Sequence, residues 1–560
     1  MTLLTKLYSD KRWLFILLWL LLVAVYLPSW KAGFVADFFN ALVRFNEGSF
    51  SYFINREGAY VRSLYQVTQL ELYVLISIFG ASPLPWFLLF MALHALNGTL
   101  IYSFFSRLFT DFRLTHANLI AVAGVLLFLF NPNITEVTIW EGGFHYLTGV
   151  MMQMLILIWC QYYLHTGKAK FVWLSGLLFA LSTFTLEIFY ATPFLTLFLV
   201  VGYRWKGLMD TGRTRRTLLA IFLPQLILFL LHLLAFRLLY GSWIAHYGST
   251  TDFAINIGDV LPRLGKYVAY IVFMVGHLPE QYRLPVYSFL SDQEVCYTIL
   301  GALLLLVAYI FYNYRKASPA FQAFSFLFGA VICCLVLAIP IWFDDSFSLY
   351  NSRRCYHPGV FLYMMVALAV FTLIRNLRIA YLIYSAYFLL CLCLTISMVL
   401  RWRTAAKIQH GILRTFQWQS ADPVLLLNIP TYYKDVRITP AGAGNEFNKQ
   451  LKIFGHDTVT NTLYSVSSYN MQHKWEGAHV TVLDSLTVKV TLNQWGNWWM
   501  YNYQGATNYE NDLYQVNFTD PAHEYILKLK VRPKNMVLLF QQDEQWRAVD
   551  MNKIGVEQWE

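Results

Sequence analysis

A single acidic residue, Asp37, follows a long apolar run and stands among aromatic residues in the stretch GFVADFFNAL (33–42). A carboxylate at the edge of a membrane has two interpretations. It can accept a proton from a hydroxyl group as a general base, or it can cap the N-terminus of the amphipathic segment that follows. Both interpretations place Asp37 at the junction between a membrane-spanning segment and an interfacial helix.

Three further ionisable residues lie at the ends of apolar segments. Glu141 and His145, in TEVTIWEGGFHYLTG, are four positions apart and would share one face of a helix. They can serve a site or act as anchors at the membrane interface. Glu187 stands between two short apolar segments, where burial without a partner costs several kcal/mol. We therefore expect Glu187 to face a polar cavity.

A basic pair precedes another apolar run, in the stretch LYNSRRCYHPGV. Arg353 and Arg354, with Tyr356 beside them, suit a phosphate or pyrophosphate group because guanidinium groups bind such anions through two hydrogen bonds. Contact with lipid headgroups is an equal alternative. Arg62, in AYVRSLYQ, is a weaker candidate of the same kind. A carboxylate opposite arginine side chains suits group transfer from a lipid-phosphate donor to a hydroxyl group.

The composition requires these residues to be positioned by a membrane protein. Of 560 residues, 57% are hydrophobic and 13% are charged, whereas a soluble globular protein has roughly 25% charged residues. The first 400 residues contain 26 Lys and Arg against 17 Asp and Glu, and the last 160 contain 16 against 15. The positive-inside rule explains this basic excess better than a nucleic-acid partner does. No CxxC pair occurs, so neither a zinc site nor a disulfide framework is predicted.

About eleven apolar segments are long enough to be predicted as spans. They lie at about 13–30, 84–106, 117–132, 144–164, 171–186, 188–203, 217–239, 293–313, 319–342, 358–374 and 380–400. With a cytoplasmic N-terminus, the cytoplasmic pieces hold 16 Lys and Arg against three acidic residues. This charge bias predicts a multi-pass protein of the plasma or bacterial inner membrane, with its C-terminal part outside the cytoplasm.

Two loops on the predicted outer face, 31–83 and 240–292, are long and rich in aromatic residues. Loops of this length beside a membrane are usually functional. Within the second loop, YVAYIVFMVG (267–276) is predicted as an interfacial or re-entrant helix, because a twelfth span there would conflict with the charge bias. The membrane part is thus predicted over 1–400, followed by an interfacial linker over 401–420.

Residues 421–560 form a predicted β-rich domain, interpreted as a sandwich. HVTVLDSLTVKVTL (479–492) alternates apolar and polar residues with period two, and EYILKLKVRP and NMVLLFQQ repeat the pattern. An aromatic cluster in this domain is either core and membrane-facing packing or a sugar-stacking surface. Its members are Trp495, Trp498, Trp499, Tyr501 and Tyr503.

The order of motifs over residues 10–400 resembles the GT-C superfamily of membrane glycosyltransferases, of the protein O-mannosyltransferase-like kind. VADFF is similar to the family's Asp-Asp-Phe motif, with Ala36 in place of the first acid. AYVRSLYQVTQLELYVLISIFGASPLPWFLLFMALHALNGTLIYSFFSRLF matches the segment that follows this motif. NPNITEVTIWEGGFHYLTG, LEIFYATP and SRRCYHPGVFLYMM resemble three later motifs, with Leu186 where the family usually has lysine.

The resemblance implies inverting transfer of a sugar from a polyprenyl-phosphate donor to a hydroxyl of a glycan, lipid or protein on the outer face. Asp37 would be the catalytic base, and Arg353 and Arg354 would hold the phosphate leaving group. The other candidates, Glu141, His145 and Glu187, would shape the cavity. No cofactor is firmly predicted, although the family's acidic pair leaves room for a divalent metal ion.

A non-catalytic relative is the alternative function. It would be a membrane scaffold or a subunit of a larger membrane complex, with the β-rich domain as its contact surface. Ala36 and Leu186 favour it, because each occupies a position that is usually charged in the family. The apolar Phe144, near a position that is often basic in relatives, favours it as well. A transporter is disfavoured, because the sequence has no inverted repeat.

Overall fold

The structure, a computed structural model, describes residues 10–35, 37–55, 64–241, 243, 257–313, 318–338, 349–418, 422–434, 436–439, 444–453, 462–492, 499–501, 504–505, 507–520 and 523–558. The backbone of Asp37 belongs to these ranges, but its side chain does not. Ala36 and Arg62 lie outside them. The same holds for the aromatic cluster: Trp495, Trp498, Tyr503 and the side chains of Trp499 and Tyr501.

Helices dominate the chain up to residue 414. In order they are α1 Lys11–Tyr26, α2 Asp37–Glu47, α3 Phe50–Asn55, α4 Gln66–Phe79, α5 Pro83–Asp111, α6 Ala117–Leu129, α7 Thr135–Ile139, α8 Phe144–Thr166, α9 Lys170–Ser182, α10 Thr192–Trp205, α11 Thr211–Thr217, α12 Leu223–Tyr240, α13 Ile257–Phe273, α14 Glu280–Ser291, α15 Gln293–Asn313, α16 Pro319–Ala338, α17 Tyr356–Leu373 and α18 Leu377–Arg414. One more helix, α19 Gly444–Ile453, lies in the C-terminal region.

Eight helices in the described part of the chain are long and apolar enough to cross a membrane. The number rises to ten if two bent helix pairs are each counted as one span, with bends of 57° after α6 and 65° before α15. The segment predicted as the fifth span is the 13-residue helix α9. It is about 20 Å long, which is less than the roughly 30 Å of a hydrocarbon core. The chain is therefore a polytopic helical membrane protein with eight to ten candidate spans.

A buried polar network ties three of these helices together. Asn97 on α5 donates hydrogen bonds to the Leu147 carbonyl of α8 and to the Tyr356 hydroxyl of α17, both at 2.9 Å. His94 on α5 lies 2.9 Å from the same hydroxyl. Polar groups at this depth are stable only when paired. Tyr356, predicted as a binding residue, thus joins α17 to α5.

Helix α18 continues past the last predicted span without a break. Its 38 residues correspond to about 57 Å, well beyond the thickness of a hydrocarbon core. The predicted linker 401–420 is therefore helical up to Arg414. Trp402, Ala405 and Gln409 are buried on this part of the helix, which carries the chain directly into the β-rich region.

Three sheets make up the β-rich region, rather than the two of the predicted sandwich. Their orders are β14-β13-β1-β4, β10-β11-β12-β7-β6-β15 and β3-β2-β5-β8-β9. The strands are β1 Val424–Leu426, β2 Ile429–Tyr433, β3 Val436–Arg437, β4 Leu463–Ser465, β5 Ser468–Met471, β6 Ala478–Asp484, β7 Thr487–Leu492, β8 Trp499–Tyr501, β9 Gln504–Gly505, β10 Tyr509–Glu510, β11 Tyr514–Asp520, β12 Glu524–Leu529, β13 Val537–Gln542, β14 Gln545–Ala548 and β15 Glu557–Gln558.

The hairpin β6–β7 and the strands β12 and β13 confirm the predictions from alternating residues. Strand β1 of the first sheet was not predicted. Strand β1 pairs in parallel with both β4 and β13, and all of its residues are buried. A strand buried on both faces is apolar throughout and shows no alternation in the sequence.

Glu476 is the one acidic residue of the described β-rich region that is fully buried. Its Oε2 accepts the backbone N–H of Gln472 at 2.6 Å, and its Oε1 has no hydrogen-bond partner among the described residues. Burial raises the pKa of this carboxyl from 4.5 to about 7, against the opposing effects of the Gln472 N–H group and Lys434.

Replacing Glu476 by Gln is expected to stabilise the protein at pH 8 more than at pH 5. The carboxyl has a higher pKa in the folded state than in the unfolded chain. Its contribution to the free energy of unfolding is therefore complete below pH 4.5 and is lost as the pH rises to about 7. The Gln variant cannot ionise and avoids this loss, which is on the order of 3 kcal/mol. Thermal unfolding of full-length protein in detergent checks this. Equal gains at both pH values would contradict the prediction.

Candidate functional site

Glu136, on the short helix α7, is the centre of a buried ion cluster. Its Oε1 lies 2.6 Å from Nη1 of Arg353. Its Oε2 accepts the backbone N–H of Arg353 at 3.0 Å and the hydroxyl of Ser352 at 3.4 Å. All three residues are buried. One carboxylate thus fixes both the side chain and the backbone of Arg353.

A second arginine reaches this carboxylate from the β-rich region. Nε of Arg437, on β3, lies 3.8 Å from Oε1 of Glu136. The indole ring of Trp140 contacts both guanidinium groups, with its centroid 4.9 Å from Arg437 and 5.3 Å from Arg353. Cations bind aromatic faces at such distances. We call these four residues the Glu136 cluster; two guanidiniums and one carboxylate give it a net charge of +1.

The segment that leads into Asp37 is hydrogen-bonded beside this cluster. The Trp140 indole N–H donates to the Val35 carbonyl at 2.9 Å. The side-chain amide of Gln409, on α18, donates to the carbonyl of Phe34 at 3.2 Å. Two residues span at most about 7 Å, so the backbone of Asp37 lies close to a carbonyl bound by Trp140. Helix α2 therefore starts next to the Glu136 cluster.

Glu141 packs directly on the same segment. Its backbone N–H donates to the Gly33 carbonyl at 3.3 Å. A Cβ atom added to Gly33 would lie 2.0 Å from both carboxylate oxygens of Glu141, so a larger residue at this position requires the Glu141 side chain to move. Oε2 of Glu141 is buried and has no hydrogen-bond partner among the described residues. The structure thus brings two predicted site positions, Asp37 and Glu141, to one place.

Glu187 is held by a different contact. It is buried in the 3-10 segment that precedes α10, and its carboxylate accepts a hydrogen bond from the hydroxyl of Tyr65. The Thr68 hydroxyl donates to the Thr185 carbonyl at 3.2 Å beside this pair. Oε1 of Glu187 is buried without a hydrogen-bond partner in the described ranges. Glu187 thus joins α4 to the turn before α10.

The remaining predicted residues divide between the cluster and its surroundings. Arg354 is buried next to Arg353 and interacts with the Tyr267 hydroxyl on α13. The ring of His145 lies against Tyr146, with the two centroids 4.7 Å apart. Within the described ranges, no three His, Cys, Asp or Glu side chains are grouped as metal ligands would be.

Three members of the Glu136 cluster, namely Glu136, Trp140 and Arg437, were not predicted as site residues. Glu136 stands five positions before Glu141 in the same apolar stretch, and the rule that selected Glu141 applies to it equally. Arg437 gave no signal, because its partner is about 300 positions away in the chain. No known family matches the chain, and no curated protein matches its sequence.

Replacing Gly33 by Ala is expected to destabilise the protein, because the new methyl group would overlap the Glu141 carboxylate. Overpacking of this kind costs about 1–3 kcal/mol. A second change, Glu141→Ala, removes the overlapping atoms and should restore stability in the double variant. Thermal unfolding of the two single variants and the double variant gives the coupling. If the stability losses of the two single variants simply add in the double variant, the close approach of Gly33 and Glu141 is contradicted.

Proposed function

We propose that the chain is a glycosyltransferase that moves a sugar from a polyprenyl-phosphate donor to an acceptor hydroxyl on the extracytoplasmic face. The observation that carries this proposal is the position of the start of α2 beside the Glu136 cluster. The segment before Asp37 is fixed by Trp140 and Gln409 next to a buried cluster with a net positive charge. A carboxylate and cationic groups beside membrane-spanning helices are what transfer from a lipid-linked phosphate requires.

In the proposed reaction, the acceptor oxygen attacks the anomeric carbon of the sugar and passes its proton to the Asp37 carboxylate. The bond between that carbon and the donor phosphate breaks, and polyprenyl phosphate leaves with the electron pair. Arg354 is the better candidate for holding this phosphate, because Arg353 is already paired with Glu136. In this role the pair of Glu136 and Arg353 fixes the backbone next to Arg354.

An apolar cavity of about 810 Å³ supports a donor with a hydrocarbon chain. Its walls come from α10, α13, α15 and α16, and Leu261 and Leu264 are its α13 residues. Helix α13 also carries Tyr267, which interacts with Arg354. One helix thus connects an apolar chain-sized cavity with a buried guanidinium, and a donor could place its chain in the first and its phosphate at the second.

The second candidate is a non-catalytic membrane scaffold or complex subunit. The pairing of Arg353 with Glu136 favours it, because a guanidinium that is neutralised inside the protein needs no ligand to balance its charge. Purification of full-length protein separates the two candidates. A scaffold would carry a stoichiometric protein partner and no polyprenyl-phosphate lipid, whereas the transferase would bind the lipid.

Replacing Asp37 by Asn tests the proposed base. Sugar transfer from a polyprenyl-phosphate donor in membranes is expected to fall about 10²–10⁴-fold, which is the usual contribution of a general base. Glu47→Gln is the matched control, because Glu47 ends the same helix with a side chain that is 60% exposed. Unchanged turnover of the Asp37 variant at normal protein level would refute the assignment.

A further inference from the structure

Helix α19 of the β-rich region packs along α2, the helix that begins at Asp37. The ammonium group of Lys449 donates to the side-chain carbonyl of Asn40 at 2.9 Å, in a part-buried contact. One turn further along α19, the Lys452 ammonium lies 3.8 Å from Glu47. Two lysines of one helix therefore contact opposite ends of α2.

Helical geometry places Lys449 on the side of α2 that holds position 37. Residues three and four apart on a helix are neighbours, about 5–6 Å between Cβ atoms. Position 37 shares its face with Asn40, Ala41 and Arg44. On this face, Nη2 of Arg44 donates a hydrogen bond to Oε1 of Gln69 on α4 at 3.3 Å. An ammonium group at Asn40 is thus one helical turn from position 37.

We propose that Lys449 is the counter-charge of Asp37, so that the C-terminal β-rich region completes the site at α2. Lys449 is a positioning residue: its charge keeps the Asp37 carboxylate ionised. The proposal rests on the proposed function of Asp37 as a base. It also gives the β-rich region a part in the reaction, beyond contact with partners.

Other charged groups surround this pair. Besides Asp37, the charged residues on α2 and on the elements that pack against it are Arg44, Glu47, Glu71, Glu141, Glu446, Lys449 and Lys452. The side chain of Glu446 lies outside the described residues. Glu141 packs on the segment that leads into α2, and a carboxyl there opposes ionisation of a second carboxylate whenever it is itself ionised. Lys449 is the cation of this set placed to offset that effect, because Lys452 contacts the far end of the helix.

The first test is the pH profile of sugar transfer by full-length Lys449→Gln protein. Loss of an opposite charge within about 4–6 Å raises a carboxyl pKa by about one unit or more. The acid limb of kcat/KM should move to higher pH, with activity at the low-pH end reduced about 10-fold and activity above the limb retained. Lys449→Arg should restore the limb, and the control Lys452→Gln should leave it unchanged. An unshifted limb in Lys449→Gln overturns the proposal.

The second test does not depend on activity. Cysteine substitutions at positions 37 and 449 should cross-link with a short bifunctional reagent in membranes, whereas positions 37 and 452 should not. The second pair is a control, because Lys452 contacts Glu47, about 15 Å further along α2. Absence of the first cross-link overturns the placement of Lys449. Full turnover by Asp37→Asn with the cross-link intact identifies a failure of the proposed function instead.

Discussion

A carboxylate buried inside a protein must be neutralised, and this constraint organises the structure around Glu136. An unpaired charge in such a place costs several kcal/mol or more. Glu136 meets the constraint with Arg353 at 2.6 Å and Arg437 at 3.8 Å. These residues come from α7, from the segment before α17 and from strand β3. One ion cluster therefore holds together three regions that are distant in sequence.

Trp140 connects the Glu136 cluster to the start of α2. Its ring contacts both arginines, and its indole N–H binds the carbonyl of Val35. The position of Asp37 thus depends on a cluster to which the membrane helices and the β-rich region both contribute. The contact of Lys449 with Asn40 adds a second link of the same kind. The β-rich region for this reason contributes residues to the candidate site and is not an appended module.

Prediction from the sequence succeeded where the pattern of apolar and polar residues within one helix or strand is enough to identify it. Apolar runs predicted the long helices, and alternating residues predicted β6, β7, β12 and β13. It failed where the deciding partner is remote. The all-apolar strand β1 needs two parallel neighbours. Arg437 became a candidate only when folding brought it to Glu136, because an isolated arginine in a strand has no distinguishing pattern.

The most direct test of this account is a double-mutant cycle between Glu136 and Arg437. The variants Glu136→Gln, Arg437→Met and their combination are compared by unfolding of full-length protein in detergent. We expect each single change to destabilise the protein and the combination to cost less than the sum, with a coupling of about 1–3 kcal/mol. Losses that simply add would show that the two residues act independently, and would contradict a single cluster that joins the β-rich region to the membrane helices.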